Sequence, residues 1–69
     1  MMQTTLKVDG MTCNGCVQNV TNVLKGLLGV SGVDVNLEQA RAVVTHEEAV
    51  SAEILVAAVE AAGFDASPA

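Results

Sequence analysis

The spacing of the apolar residues changes several times along this chain, and the order of those changes restricts the fold more than any single motif. Residues 4–8 alternate between inward and outward positions, which is the period of a half-buried strand. Residues 14–28 then place apolar side chains three or four positions apart, which predicts a helix that ends at Gly29. Alternation returns over residues 30–37 and 41–45, and we expect these two segments to form a hairpin.

The last third of the chain predicts a second helix and a short strand. The helix is expected from Ala52 to Ala62, with Ser51 as its N-cap and a stop at Gly63. Its predicted buried residues are Ile54, Leu55, Ala58, Val59 and Ala62. A brief strand fits at 64–66, and Ala66 to Ala69 is expected to be a loose tail. The order predicts an α+β fold, a ferredoxin-like βαββαβ open-faced sandwich with an antiparallel four-stranded sheet and both helices on one face.

Length and charge limit what the chain can bind. Sixty-nine residues predict a single domain, residues 1–69. The net charge is −5, and only Lys7, Lys25 and Arg41 are cationic, which argues against nucleic acid and against anionic membrane surfaces. No apolar run reaches the 18 or so residues of a membrane helix, and the N-terminus lacks the pattern of a secretory signal. We therefore expect a complete small cytoplasmic protein with no membrane insertion.

The two cysteines are the residues that indicate chemistry. Cys13 and Cys16 are three positions apart, and in a cytoplasmic chain this spacing is typical of a metal site or a redox centre. Cys13 is expected in the loop after the first strand and Cys16 in the first turn of the first helix, where free amides and the helix dipole favour thiolates. Gly15 keeps the turn uncrowded. Two soft thiolates with no further ligand nearby suit Cu(I) better than Zn(II), which takes four ligands.

The segment Gly10-Met11-Thr12-Cys13-Asn14-Gly15-Cys16 resembles the heavy-metal-associated domain family, and among its members the small bacterial copper chaperones. The Gly32-Val33 pair, the Glu38-to-Val44 hairpin and the ending Ala61-Ala62-Gly63-Phe64-Asp65 extend the resemblance over almost the whole chain. It implies that Cys13 and Cys16 ligate one Cu(I).

Further roles follow from the resemblance alone. It implies that Met11 is a buried support of the loop and that the ion passes through shared thiolates to the metal-binding domain of a copper-transporting P-type ATPase. Thr12 favours copper, because zinc-handling relatives often carry Asp at that position. Phe64 is expected to shield the site, and Phe there is common in domains fused to ATPases. The chain should be a monomer without metal, and at high copper two chains can share ions through four thiolates.

Three other functions remain open from the sequence. The chain could be an N-terminal metal-binding domain of such an ATPase, a mercury or zinc carrier, or a dithiol oxidoreductase. Thioredoxin-like enzymes need a cis-proline beside the cysteines, and the only proline here is Pro68. No general base or phosphate cradle is visible, so we expect no enzyme activity.

The remaining polar residues are assigned no role in the site. Asp9 and Asp65 are expected to flank the metal end as solvated acids. His46 is expected on the surface at the opposite pole. Glu47 and Glu48 are predicted to be solvated just before the second helix.

Overall fold

Six elements follow one another in the computed structural model, which describes residues 1–69. Their bounds are β1 (Met2–Asp9), α1 (Asn14–Lys25), β2 (Val30–Asn36), β3 (Arg41–His46), α2 (Ala52–Ala61) and β4 (Asp65–Pro68). The strands form one sheet in the order β2-β3-β1-β4, and every pair of neighbours is antiparallel. This confirms the predicted βαββαβ sandwich.

The core lies between the helices and one face of the sheet. Alternate residues of β1 and β3 point inward, so that Leu6 lies opposite Ala42 and Thr4 lies opposite Val44. Nine buried apolar residues form the core: Leu6, Val8, Val20, Leu24, Ala42, Val44, Val50, Leu55 and Val59. None is aromatic, and full burial of a Val or Leu side chain stabilises a fold by about 1.5–3 kcal/mol. The core is thin, so each contact matters.

Helix α1 is shorter than predicted. It ends at Lys25, and the amide of its C-cap residue Gly26 donates to the Asn22 carbonyl at 3.0 Å. Leu27 packs against the core from the loop that follows α1. In the sequence, this apolar residue therefore continues the helical spacing by one more turn. Gly29 lies in that loop with a φ of +91° and does not end the helix.

Helix α2 buries a narrower stripe than predicted. The Ser51 hydroxyl accepts from the Ile54 amide at 3.3 Å and fixes the start of the helix. Leu55 and Val59, four positions apart, are buried, whereas Ile54 is 46 % exposed. Successive helical residues are about 100° apart. Ile54 therefore points away from the stripe, and Val56 packs against the core on the other side.

The predicted loose tail is wrong, because the last residues belong to the sheet. β4 runs to Pro68, which lies opposite Leu6, and the Ala69 amide donates to the Thr5 carbonyl at 2.9 Å. The edge of β1 that faces away from β3 has free backbone groups over residues 5–9, so it offers β4 a backbone partner. Proline is tolerated at Pro68 because β4 is an edge strand.

The sequence prediction is also wrong about the exposure of His46. It is 2 % exposed and is the one polar side chain among the ten buried residues. β3 extends one residue beyond the predicted strand, and the alternation Ala42, Val44, His46 turns the imidazole toward the helices. Its predicted location at the pole far from the cysteines is correct, because His46 lies opposite Met2 at the start of β1.

Neither helix has the length and apolar character that a membrane crossing requires.

Gly29→Ala tests the loop between α1 and β2. A Cβ at Gly29 would lie 2.7 Å from the Val50 Cγ2, and the positive φ adds backbone strain. Gly63 has a similar φ of +98° with nothing within 4 Å of its Cβ position, so Gly63→Ala measures the strain alone. We expect Gly63→Ala to lower the free energy of unfolding by about 1–3 kcal/mol and Gly29→Ala to lower it further. Urea unfolding followed by circular dichroism measures both, and equal losses would contradict the steric contact.

Candidate metal site

The two cysteines lie where β1 has ended and α1 begins. Cys13 is the N-cap residue with an extended backbone, φ −158° and ψ 172°, and Cys16 is the third residue of the helix. The Cys13 carbonyl accepts from the amides of Cys16 at 3.1 Å and Val17 at 3.3 Å. The Cys13 thiol caps no amide of the helix, so its sulfur stays free beside the helix start.

The two sulfur atoms face each other as free thiols. Cys13 Sγ and Cys16 Sγ are 3.6 Å apart, with Cys13 exposed and Cys16 half-buried. Metal–thiolate bonds are about 2.3 Å long for zinc, so sulfurs at this separation can contact one ion together. No group of three or more His, Cys, Asp or Glu side chains is arranged to hold a metal ion anywhere in the chain. The site therefore offers two soft donors.

Hydrogen bonds favour the thiolate form at Cys16. The backbone amide of Thr12 lowers the pKa of the Cys16 thiol most, followed by the Cys13 side chain and the Thr12 hydroxyl. That hydroxyl lies 3.9 Å from Cys16 Sγ. The first turn of α1 contains no acidic residue, so no carboxylate in that turn repels a thiolate, and the helix dipole favours negative charge.

Thr12 is the residue whose role the sequence prediction missed. The sequence suggested only that its lack of a carboxylate favours copper, whereas in the structure its hydroxyl lies near Cys16 Sγ and its backbone contributes to the lowered pKa of that thiol. The available signal was position: a hydroxyl residue just before the N-cap can reach the open amides and side chains of the first turn.

Met11 and Gly15 are close to the cysteines in sequence, and none of Met11, Gly15 and Phe64 carries a charge. Met11 is half-buried and packs against the core, as does Phe64. Gly10 has a φ of +99°, and a Cβ there would lie 3.6 Å from the Phe64 ring. A Cβ at Gly15 would lie 3.7 Å from Cys13 Sγ, an ordinary contact, so a side chain at Gly15 would touch the sulfur without being forced out.

The acids fall where they were expected. Asp9 and Asp65 lie directly opposite each other on β1 and β4 at the metal end, and both are exposed. Glu47 and Glu48 are exposed at the other end of the molecule. His46 is far from the cysteines, so among the cysteine and histidine side chains of the chain the structure brings together only Cys13 and Cys16.

Comparison with known proteins agrees with this arrangement. The sequence model of the family described as "Heavy-metal-associated domain" matches residues 5–65. The chain is 41 % identical to the copper chaperone CopZ of Bacillus subtilis, covering 94 % of this chain and 96 % of that protein. It is 44 % identical to the periplasmic component of a mercuric transport protein of Pseudomonas fluorescens, covering 91 % and 70 %. A copper binding domain from HMA7, a P-type ATPase, superposes with a TM-score of 0.98 at 34 % identity, covering 100 % and 95 %.

Other relatives are much longer than this chain. It is 41 % identical to a Shewanella putrefaciens mercuric reductase, over 86 % of this chain and 11 % of that enzyme. It is 37 % identical to the copper-transporting ATPase ccc2 of Schizosaccharomyces pombe, over 97 % of this chain and 8 % of that protein. The shared part of these proteins is one small domain.

The hydrogen bonds to Cys16 predict a thiol that ionises early. In Cys13→Ser only one thiol remains, and the serine hydroxyl keeps a donor beside Cys16. We expect its thiolate absorbance, followed in the ultraviolet against pH, to give a pKa below the ordinary cysteine value, because the Thr12 amide stabilises the anion. The same titration in denaturing urea is the control and should return the ordinary value. Equal pKa values in the folded and unfolded chains would contradict the hydrogen bonding.

Proposed function

The chain belongs to the heavy-metal-associated domain family, and from this membership and its paired thiols we propose that it carries one Cu(I) between Cys13 and Cys16. The proposed receiver of the ion is the metal-binding domain of a copper-transporting P-type ATPase. The observation that carries the proposal is the 3.6 Å separation of two free sulfurs at an exposed helix start, where the pKa of one thiol is lowered.

The donor set supports Cu(I) as the cargo. Thiolates are soft ligands that select Cu(I), and Cu(I) accepts two-coordinate sulfur ligation. Zn(II) ordinarily takes four ligands from Cys, His or carboxylate side chains, and this site has two. Two thiolates and one Cu(I) carry a net charge of −1, which the amides and the positive end of the α1 dipole stabilise.

The location supports a carrier that exchanges its metal. Cys13 is exposed at the N-cap, so a thiolate of another protein can reach the bound ion before either of the first two sulfurs leaves. The step is ligand exchange: a new metal–sulfur bond forms as an old one breaks, and copper stays Cu(I) throughout. A receiver with its own thiolates at a similar loop fits this step, and the HMA7 domain shows that a P-type ATPase contains the same fold.

The remaining features of the proposal follow from the same chemistry. Residues 1–69 act as one domain that binds metal without catalysing a reaction. We place the carrier in the cytoplasm, where thiols stay reduced. The chain is monomeric without metal, and excess copper can bridge two copies through four thiolates. Met11, Thr12, Gly15 and Phe64 support the loop around the two ligands.

A mercury carrier is the second candidate function, and the identity of 44 % to the Pseudomonas mercuric transport component favours it. Hg(II) is also soft and binds well to two thiolates, so the ligand pair alone does not distinguish Cu(I) from Hg(II) as the cargo. An ATPase domain is a variant of the first proposal, because it would bind the same ion with the same residues. The mercuric reductase named above is a redox enzyme, but the chain covers only 11 % of it, so this match does not favour a dithiol oxidoreductase.

Competition with a Cu(I) chelator tests the proposal. Under anaerobic conditions the wild-type chain should hold one Cu(I) against a chromogenic chelator, and Cys13→Ser or Cys16→Ser should release it, because one thiolate remains. Gln18→Ala is the matched control: it changes an exposed side chain of the same helix, keeps both sulfurs, and should retain the ion.

Parallel titrations with Zn(II) and Hg(II) assign the cargo. Weak Zn(II) binding beside tight Cu(I) binding is the expected result. Loss of Cu(I) to the chelator by the wild-type chain, together with tight Hg(II) binding, would replace the copper proposal with the mercury one.

A further inference from the structure

His46 has the hydrogen bonding of a preorganised metal ligand, although it lies far from the cysteines. Its Nδ1 is 2.9 Å from the Glu47 carbonyl oxygen, and its Nε2 is 2.7 Å from the Thr4 hydroxyl oxygen. A carbonyl oxygen only accepts hydrogen bonds, so in the neutral ring Nδ1 carries the proton. Nε2 then has a free lone pair, which accepts the hydrogen of the Thr4 hydroxyl.

The first of these two bonds, from Nδ1–H to a backbone carbonyl, is common among histidines that bind metals. Such a ring usually donates its other N–H to a carboxylate or a backbone carbonyl, which fixes the tautomer and the ring orientation. The Thr4 hydroxyl is the present partner of Nε2, and it is replaceable because Thr4 is half-buried and its hydroxyl can turn to water. An ion that takes the Nε2 lone pair therefore leaves no buried polar group unpaired.

Met2 brings a second soft donor to the same place. Met2 and His46 are direct partners across the β1–β3 ladder. Met2 also precedes Thr4 by two residues, so both side chains lie on the sheet face that holds the core. The Cβ atoms of directly opposite residues are about 4.5–5.5 Å apart, within reach for a long thioether and an imidazole. Met2 is 48 % exposed, so an ion from solvent can reach this residue.

We propose that Met2 Sδ and His46 Nε2 form a second, weaker site for a soft monovalent ion, Cu(I) or Ag(I), at the pole opposite the cysteine pair. Thioether and imidazole are both ligands that copper accepts. Both are neutral, so they attract the ion less than two thiolates do and fill after the cysteines. Glu47 and Glu48, exposed on the adjoining loop, favour a cation at this end of the chain.

The two sites are well separated. Met2 and Asp9 are the first and last residues of β1, and seven strand steps correspond to about 23 Å. The cysteines lie beyond Asp9. An ion at Met2 and His46 therefore cannot share a ligand with an ion at the cysteines, and the chain can be occupied at both ends at once.

Silver titration of the full chain with Cys13→Ser and Cys16→Ser isolates the second site. Ag(I) is added in a chloride-free buffer, and nuclear magnetic resonance follows the methionine methyl groups and the imidazole nitrogens. We expect the Met2 methyl and His46 Nε2 signals to shift together and to saturate at one Ag(I) per chain. The Met11 methyl, near the other pole, is an internal control and should not move.

Two further variants distinguish a site from a structural histidine. Met2→Leu should lower the apparent Ag(I) affinity at His46 by about tenfold or more, because one of two ligands is lost. Ile54→Leu changes an apolar side chain of similar exposure and should leave the affinity unchanged. An unmoved His46 signal, or an equal shift in Met2→Leu, would overturn the proposal. With both cysteines replaced, either result leaves the carrier function untouched.

Discussion

The fold depends on the central position of β1, which pairs with β3 on one side and with β4 on the other. Through these two ladders a single strand aligns the hairpin of β2 and β3 and also holds the last residues of the chain. Its inward residues Leu6 and Val8 are fully buried under the helices. The same strand delivers the metal loop at one end and Met2 at the other. Both proposed metal sites are thus anchored by one of the two central strands of the sheet.

The candidate copper site lies on a loop that is packed against the core, and its sulfurs are open to solvent. Met11, two residues before Cys13, packs against the core, so the loop that carries the sulfurs is attached to the core. Above them nothing closes, since Cys13 is the N-cap and is exposed. A buried four-ligand site would hold metal more firmly and release it more slowly. Two thiolates at a helix start gain electrostatic support from amides and dipole while they leave the ion open to incoming ligands.

The order of elements and most of the core could be predicted from the sequence, because periods of two and 3.6 residues report directly which side chains face inward. Errors occurred where an apolar residue has another reason for its place. Leu27 packs against the core from a loop, so the predicted α1 was too long. Ile54 stays exposed because it lies about 100° around the helix from the buried Leu55. The inward alternation of β3 also includes His46, but the sequence prediction placed this polar residue at the strand end on the surface. Its burial depends on Thr4, which is 42 residues away.

The ligands of the candidate site could be predicted from the sequence, but its hydrogen bonds could not. Cys13 and Cys16 stand out by spacing, and helix periodicity places them at the start of α1. The lowered pKa of Cys16 depends on the direction of the Thr12 amide in an irregular loop, which no periodic pattern describes. The tail is a similar case, because the pairing of β4 depends on the free edge of β1 and not on a pattern in the four residues of β4 itself.

The most direct test of the account is copper transfer to a metal-binding domain of a copper-transporting P-type ATPase. The Cu(I)-loaded chain is mixed anaerobically with increasing concentrations of the metal-free domain, and copper on each protein is measured over time. If exposed thiolates exchange the ion through a shared intermediate, the transfer rate rises with the concentration of the receiving domain and exceeds the rate of spontaneous release. A transfer rate that equals spontaneous release and does not change with that concentration would contradict the carrier mechanism.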